Sequence, residues 1–397
     1  MYEYDLTKPL TWAECHAQDH AALAAGPVSR YADGSPVFVR YEDVAHLLNH
    51  PDGHLGYGEQ MVQTGVTDGF LHQVISGSFI VAPEADHARL RALVSRAFAV
   101  RPMERMRGVA RKVAEEALDN LSPGKEFDLF EDFAGRVPLH VMCSLLGIPE
   151  DYAGELRTFL RAVSPAMLAP DLTPEIRDTA ERALARLYAY ADEVAVQKLA
   201  NPDDDLISLL AVAERDGRMS RVELQSMITM LLFAGTDTTR SLIGMGLFTL
   251  AQHPEELAKL NADPELAVTA VEEVLRFACP SPWVSRFALK KIERAGVTLE
   301  PGALFILSLA TANLDPAQFS QPDTFDIRRK ESANITFGRG KHFCLGAALA
   351  RVEGQEVLRA LGARGLKLSV AGDEPPRFIR AGAMVEPAAP VSLRVHR

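Results

Sequence analysis

Cysteine is scarce in this chain. Four stand in 397 residues, Cys15, Cys143, Cys279 and Cys344, and no two form a C-x-x-C pair. That spacing excludes a disulfide scaffold and points to a reducing compartment, the cytoplasm. It also leaves no local set of ligands for structural zinc or an iron–sulfur cluster. Long apolar runs are missing. Nowhere do about 18 apolar residues pass without a charge, so no membrane span is expected. The start, MYEYDLTKPLTWAECHAQDH, lacks the apolar centre of a secretory signal. Positive charge is in deficit as well. The net charge of -11 argues against a general affinity for nucleic acid or anionic membrane. Aromatics are modest at 7%, yet 47% hydrophobic residues suffice to bury a core.

What is there reads as mostly helical. VSRYADGSPVFVR, residues 28 to 40, has a hairpin pattern with Asp33-Gly34 at the turn. YEDVAHLLNHP reads as a helix closing near Pro51. Residues 52 to 84 read as a long, loosely ordered connection of the kind that often carries function. From His87 to about Leu121 the pattern is helical, broken at Arg101-Pro102, and basic, with only Glu104 opposing eight cations between 87 and 112. Helices are expected through 130 to 215 with a break at 164 to 174. Ser220 and Glu223 make a capping box opening a helix that runs to His253, roughly 50 Å at about 1.5 Å per residue. VTLEPGALFILSLATA reads as two strands around Pro301-Gly302. No repeat, low-complexity tract or linker divides the chain, so one large domain is the economical reading.

FGRGKHFCLG, residues 337 to 346, places one cysteine among three glycines, ahead of an alanine-rich helical run. A free cysteine is commonly buried and inert. Here Gly338, Gly340 and Gly346 permit tight bends and close approach of something bulky. The helix that follows would stabilise a thiolate through its N-terminal amides. The spacing is not that of a phosphate-binding Walker loop. A single thiolate is enough to ligate haem iron, which needs a deep apolar pocket and cations for two propionates.

The long helix carries a polar interruption, AGTDTT, at 234 to 239. Ala234 and Gly235 are small. Asp237, Thr238 and Thr239 are polar in an apolar stretch and need partners or a purpose. An Asp-Thr pair facing a metal could relay protons; a solvent-exposed face beginning at Asp237 is the competing reading. In VEEVLR, Glu273 and Arg276 share a helix face, which alone signifies only a common surface pair.

Together these motifs resemble those of the soluble bacterial cytochromes P450, over nearly the whole chain. The resemblance implies a mainly α fold with small β-sheets, a single triangular-prism domain spanning 1–397. It implies haem b as cofactor, with Cys344 the metal ligand and Phe337 packing beside the sulfur. Gly338 and Gly346 then let haem approach, as do Ala234 and Gly235 on the long helix. His342, His87, Arg91 and Arg286 match donors to the propionates. Asp237 and Thr238 match the acid–alcohol pair that delivers protons, and Arg329 joins Glu273 and Arg276 in a structural triad. One departure stands out: Asn313-Leu314-Asp315 replaces the family's usual Asn-Arg-Asp. The leucine is expected to leave the iron chemistry untouched.

The function so implied is a monooxygenase that oxidises a hydrophobic small organic substrate with dioxygen and two electrons. Those electrons come from a separate acidic ferredoxin or flavodoxin-like donor with its reductase, steered by the basic run with Arg339, Lys341 and Arg351. A haem-thiolate peroxygenase, isomerase or dehydratase, or a non-catalytic haem sensor, is the alternative. By resemblance the pocket draws on residues 57–84, 164–174, 230–238, 282–285 and 381–385, with Phe70, Phe79, Ile80, Leu231, Val284 and Met384 among its apolar lining. No nucleic-acid or membrane partner is expected.

Overall fold

Capping residues and prolines set most of the helix boundaries in this chain. A computed structural model describes residues 2–5, 8–55, 66–98, 100–168, 172–331, 333–380 and 384–396. The chain is mainly helical with small sheets and divides into two compact units. One comprises Met1–His54, Ala110–Val137 and Thr238–Arg397; the other comprises Leu55–Val109 and Pro138–Asp237.

In the first unit, Thr11 and Glu14 form a reciprocal capping box that opens the helix Trp12–Ala25. The expected hairpin is present. Val28–Tyr31 pairs antiparallel with Pro36–Phe38, and Gly34 turns at φ +89. These strands belong to a six-stranded sheet. Its order is Glu3–Tyr4, Val28–Tyr31, Pro36–Phe38, Leu304–Ser308, Trp283–Ala288, Gly53–His54. Phe38, Leu47, Phe305, Leu307 and Phe319 fill the core behind it. The helix Ala267–Phe277 packs on Ala347–Ala363. A short π-helix, Leu129–Ala134, sets Phe130 against Gly244, where an added Cβ would lie 2.3 Å from the ring.

In the second unit, the helix Pro174–Ala200 packs against Ala153–Leu168, Leu206–Arg215 and Gly69–Ser76. Thr173 caps its start by accepting from the Ile176 amide, with proline at the first helical position. The long helix Arg221–Gln252 begins at the Ser220/Glu223 box and passes from one unit to the other after Asp237. No helix among the described residues is long and apolar enough to cross a membrane.

Four expectations need correction. The stretch 52–84 is not simply loose, because Gly69–Ser76 is helical; residues 56–65 lie outside the described residues. The basic helical region is interrupted at Arg96–Phe98, a tight 3-10 turn, rather than at Arg101-Pro102. Pro102 sits in the first turn of Val100–Asp119, where its missing N–H costs no internal hydrogen bond. Ser164 and Pro165 are helical, within Ala153–Leu168, so the break begins later. Finally, both strands around Pro301-Gly302 are present, Val297–Leu299 and Leu304–Ser308, but the second ends before Leu309. The first pairs with Ile292–Arg294, the second with Pro36–Phe38 and Trp283–Ala288, and Leu309–Ala312 is a helical turn.

Candidate active site

The helix Ala267–Phe277 is the scaffold of the cysteine-bearing half. Glu273 and Arg276 are not a surface pair. Both are buried, and Arg276 donates to the two carboxylate oxygens of Glu273 at 2.8 Å each. Arg329 Nε donates to the same oxygens at 3.0 and 3.2 Å. A buried pair is tolerated only when its remaining donors and acceptors are used. Here Arg276 reaches the carbonyls of Asn313, Pro322 and Thr324, and Arg329 those of Ser320, Gln321 and Thr324. The cluster therefore folds residues 320–329 around itself.

The same helix grips the cysteine loop on both sides. Glu272 pairs with Arg351 at 2.5 Å and accepts from Asn334 Nδ2 at 3.0 Å. The Leu275 carbonyl, exposed by the helix end, accepts from Thr336 Oγ at 2.6 Å. Arg351 lies over the Phe337 ring at 4.5 Å. Within the loop the Cys344 amide donates to the Phe337 carbonyl at 2.9 Å. Gly338 and Gly340 both take φ +69, a region that favours glycine. Gly346, by contrast, has an ordinary φ of -83, and nothing stands within 4 Å of a Cβ built there; it precedes the helix Ala347–Ala363. His342 and Cys344 are half-buried in this loop. Arg286 is buried in the sheet strand Trp283–Ala288 and donates to the Ser285 carbonyl at 2.8 Å.

The four cysteines separate by environment. Burial pushes the Cys15 and Cys143 thiols up to about 11 and Cys279 to about 12, which keeps them protonated and poor ligands. Cys344 alone is not fully buried. The donor chemistry thus fits a haem held by one thiolate at this loop.

The second unit holds the first part of the other motif, through Asp237. Asp237 is 6% exposed, which rules out the solvent-face reading, and its carboxylate accepts from Ser164 Oγ. Gly235 packs against Met142, whose sulfur would lie 2.5 Å from an added Cβ. Ala234 is half-buried. His87 is buried with Nδ1 at 2.8 Å from the Phe79 carbonyl, and Arg91 is half-buried on the same helix, Glu84–Ser95. Phe79 and Leu231 are buried, while Phe70 and Ile80 are half-buried. Thr238, Val284 and Met384 fall in the first unit, where Met384 is buried and Thr238 and Val284 half-buried.

The family model described as cytochrome P450 matches residues 35–361. The vitamin D(3) 25-hydroxylase of Pseudonocardia autotrophica is 36% identical over 93% of this chain and 91% of its own length. The 6-deoxyerythronolide B hydroxylase of Saccharopolyspora erythraea is 37% identical over 72% of this chain and 70% of its own. The structure of epothilone D-bound cytochrome P450epoK superposes with a TM-score of 0.88 at 27% identity, covering 100% of both chains.

This chain belongs to the cytochrome P450 family. It is a P450 monooxygenase with haem b as its cofactor, and it works with a hydrophobic substrate, dioxygen and a redox partner. Several residues of this P450's site were not found by sequence reasoning. Glu272 and Thr336 carried no motif of their own. Ser164 was assigned to a break rather than a helix. Asn313 was noticed only beside an atypical leucine, yet it is fully buried and makes side-chain hydrogen bonds to Ile335 and Thr336.

Proposed function

We propose that this P450 oxidises a small or mid-sized hydrophobic molecule, a terpenoid, steroid, fatty acid or polyketide, by hydroxylation or a related oxygen insertion. The observation that carries the reading is Asp237: an acid buried in the middle of a long apolar helix, beside Thr238 and tethered by Ser164. Its burial has a cost that a merely structural role would not require. Bound haem supplies dioxygen activation and insertion of one oxygen atom into a C–H bond. The chain supplies the rest.

Cys344 holds the iron as a thiolate, shielded by Phe337 and favoured by the amides at the start of Ala347–Ala363. His342 and Arg286 hold propionates through charge-assisted bonds, and the same role is proposed for His87 and Arg91. Asp237 passes protons from its carboxyl, and Thr238 presents them from its hydroxyl. Glu273, Arg276 and Arg329 keep the cysteine half in shape. Phe70, Phe79, Ile80, Leu231, Val284 and Met384 are proposed to orient the substrate by apolar contact. Vitamin D(3) and 6-deoxyerythronolide B are named for two relatives, which favours a bulky apolar skeleton and a place in secondary metabolism.

The electron donor is proposed to be an acidic ferredoxin or flavodoxin-like protein in the cytoplasm. The basic run is less free than its sequence suggests. Arg89 meets Glu223, Arg105 Asp204, Arg107 Glu104 and Arg111 Glu356. Arg339 and Lys341, on the cysteine loop ahead of the exposed Phe343, are proposed to share the attraction, with Arg339 also donating to the Tyr41 hydroxyl. Spectral titration with the four substrate classes tests the main reading. A true substrate converts the water-bound low-spin form to high spin and yields a product 16 Da heavier when donor and dioxygen are supplied. Turnover with peroxide alone, and none with donor and dioxygen, would count against it.

A further inference from the structure

The motif Asn313-Leu314-Asp315 is left over from the resemblance, and its first residue sits at a junction. Asn313 is fully buried. Its backbone carbonyl accepts from Arg276 Nη1 at 3.1 Å. Its side-chain Oδ1 accepts from the Ile335 amide at 2.9 Å, and its Nδ2 donates to Thr336 Oγ at 2.9 Å. Thr336 Oγ donates in turn to the Leu275 carbonyl at 2.6 Å. Every proton in this chain of bonds therefore has one direction. The buried thiol of Cys279 closes the network, 3.6 Å from both Asn313 Nδ2 and Thr336 Oγ, with its own donation going to the Ser281 carbonyl at 3.2 Å.

The next residue is Phe337, whose carbonyl accepts from the Cys344 amide at 2.9 Å. A series of buried hydrogen bonds thus runs from the Glu273–Arg276 cluster through Asn313 to Ile335 and Thr336, from which the backbone continues into the loop that ends at the cysteine. The other end of the motif is anchored separately. Asp315 accepts from Arg40 Nη1 at 3.2 Å and from the Tyr41 amide at 2.9 Å. Leu314, between them, is buried, so it serves packing while Asn313 and Asp315 make the polar contacts.

We propose that Asn313, acting with Thr336, is the positioning residue that transmits the order of the Glu273–Arg276–Arg329 cluster to the cysteine loop and so keeps the sulfur in place as a thiolate ligand. This rests on the reading of Cys344 as the haem ligand. Buried polar networks of this kind hold one geometry only while every member is satisfied. Removing the amide leaves the Ile335 N–H without its acceptor and takes from the Thr336 hydroxyl the donor that Asn313 supplies, directly upstream of Phe337. The loop then relaxes, and the sulfur withdraws from its place.

The test uses the haem-loaded protein, reduced and exposed to carbon monoxide, with the Soret band reporting a thiolate or a thiol ligand. Asn313→Leu and Thr336→Val are expected to convert from the thiolate to the thiol form at least tenfold faster than the parent. Thr336→Ser, which keeps the hydroxyl, retains the parental lifetime. The double variant converts no faster than the worse single one, because both changes break the same series. Leu368→Ala, a cavity in a strand away from the loop, serves as a control; it is expected to lower the melting temperature while leaving the band stable. Parental lifetimes in Asn313→Leu and Thr336→Val overturn the proposal, as does an equal loss in Leu368→Ala. If Asn313→Leu fails to fold, Thr336→Val against Thr336→Ser decides alone. A parent protein with no thiolate band overturns the ligand assignment of Cys344, and the proposal with it.

Discussion

Ser164 donates a hydrogen bond to the Asp237 carboxylate, joining the helix Ala153–Leu168 to the polar interruption of the long helix. The bond gives a buried acid a partner that can also release it, since a serine hydroxyl rotates. Asp237→Asn keeps the shape and the acceptor oxygen but cannot carry a proton. Product formation should fall roughly 100-fold or more, within the range general acid–base groups supply, while the donor is still consumed without product. Ser164→Ala should have a smaller effect, about tenfold, with an altered pH profile. Product formed per donor consumed is the measurement; an Asp237→Asn enzyme with parental coupling would remove Asp237 from proton delivery.

Arg276→Ala leaves Glu273 buried with Arg329 as its remaining cation and strands the carbonyls of Asn313 and Pro322. Breaking a buried pair in this way costs about 3–5 kcal/mol. The variant is expected to lose most of its haem during purification and to melt well below the parent. Thermal unfolding and the haem-to-protein ratio check this. Arg276→Lys should recover little, because one ammonium cannot replace the fork that meets both Glu273 oxygens.

Much of this arrangement could be read from the chain itself, for identifiable reasons. The capping box of Ser220 and Glu223, the turn at Asp33-Gly34 and the three motifs are local, and local signals survive in sequence. Cys344 was found because glycines and a helix start flank it. What could not be read depends on residues far apart in the chain. Asn313 and Ile335 are 22 positions apart, Ser164 and Asp237 73. The burial of Glu273 and Arg276 was invisible because an i,i+3 pair looks the same in core and on surface. The helix Gly69–Ser76 was missed since its N-terminal partner, Glu181, comes from another helix more than 100 residues on.

Glu353 provides a test in pH. It is fully buried on Ala347–Ala363, neither carboxylate oxygen has a hydrogen-bond partner among the described residues, and burial drives its pKa well above the usual carboxylate range. The folded protein therefore keeps Glu353 neutral, while the unfolded chain ionises it above its ordinary pKa of about 4.3. Stability is lost as pH rises from that value towards the folded pKa. Glu353→Gln removes the penalty. It should match the parent near pH 4 and gain stability over the parent as pH rises towards 7. Urea unfolding at several pH values measures this; an equal gain at pH 5 and pH 8 would show that ionisation is not its source.

Electrostatic docking of the donor predicts a salt dependence. Lys341→Glu reverses one charge on the cysteine loop beside the exposed Phe343. The apparent KM for an acidic ferredoxin should rise several-fold at low salt, with kcat nearly unchanged. The difference from the parent should shrink as ionic strength passes about 0.15 M, where the Debye length is about 8 Å. Arg105→Glu also breaks the pair with Asp204 at 3.1 Å, so it should lower thermal stability as well as weaken docking. A salt-independent defect in Lys341→Glu would point to a structural effect instead.

The last prediction concerns the helix Gly69–Ser76, which carries Phe70 of the proposed lining. Its first amides are not capped locally. The Phe70 and Leu71 N–H groups donate to the two oxygens of Glu181 at 2.7 and 3.1 Å, and Arg177, one turn earlier on the same helix as Glu181, meets Asp68 at 2.5 Å. A carboxylate at a helix start satisfies orphan donors and complements the dipole. Gly69 is fixed by this contact, with φ +85 and only 2.4 Å between a would-be Cβ and Glu181 Oε1. Glu181→Ala leaves both amides unpaired, and Gly69→Ala pushes the carboxylate away while straining the backbone. Each should cost about 1–2 kcal/mol locally. Hydrogen exchange of a peptide spanning 66–80 should then run about tenfold faster, with exchange in the helix Ala267–Phe277 unchanged. Substrate affinity should fall in parallel, because Phe70 moves with the helix. Unchanged exchange in Glu181→Ala would mean that the carboxylate does not hold the helix in solution, and a loss of affinity without faster exchange would place the effect on the substrate contact itself.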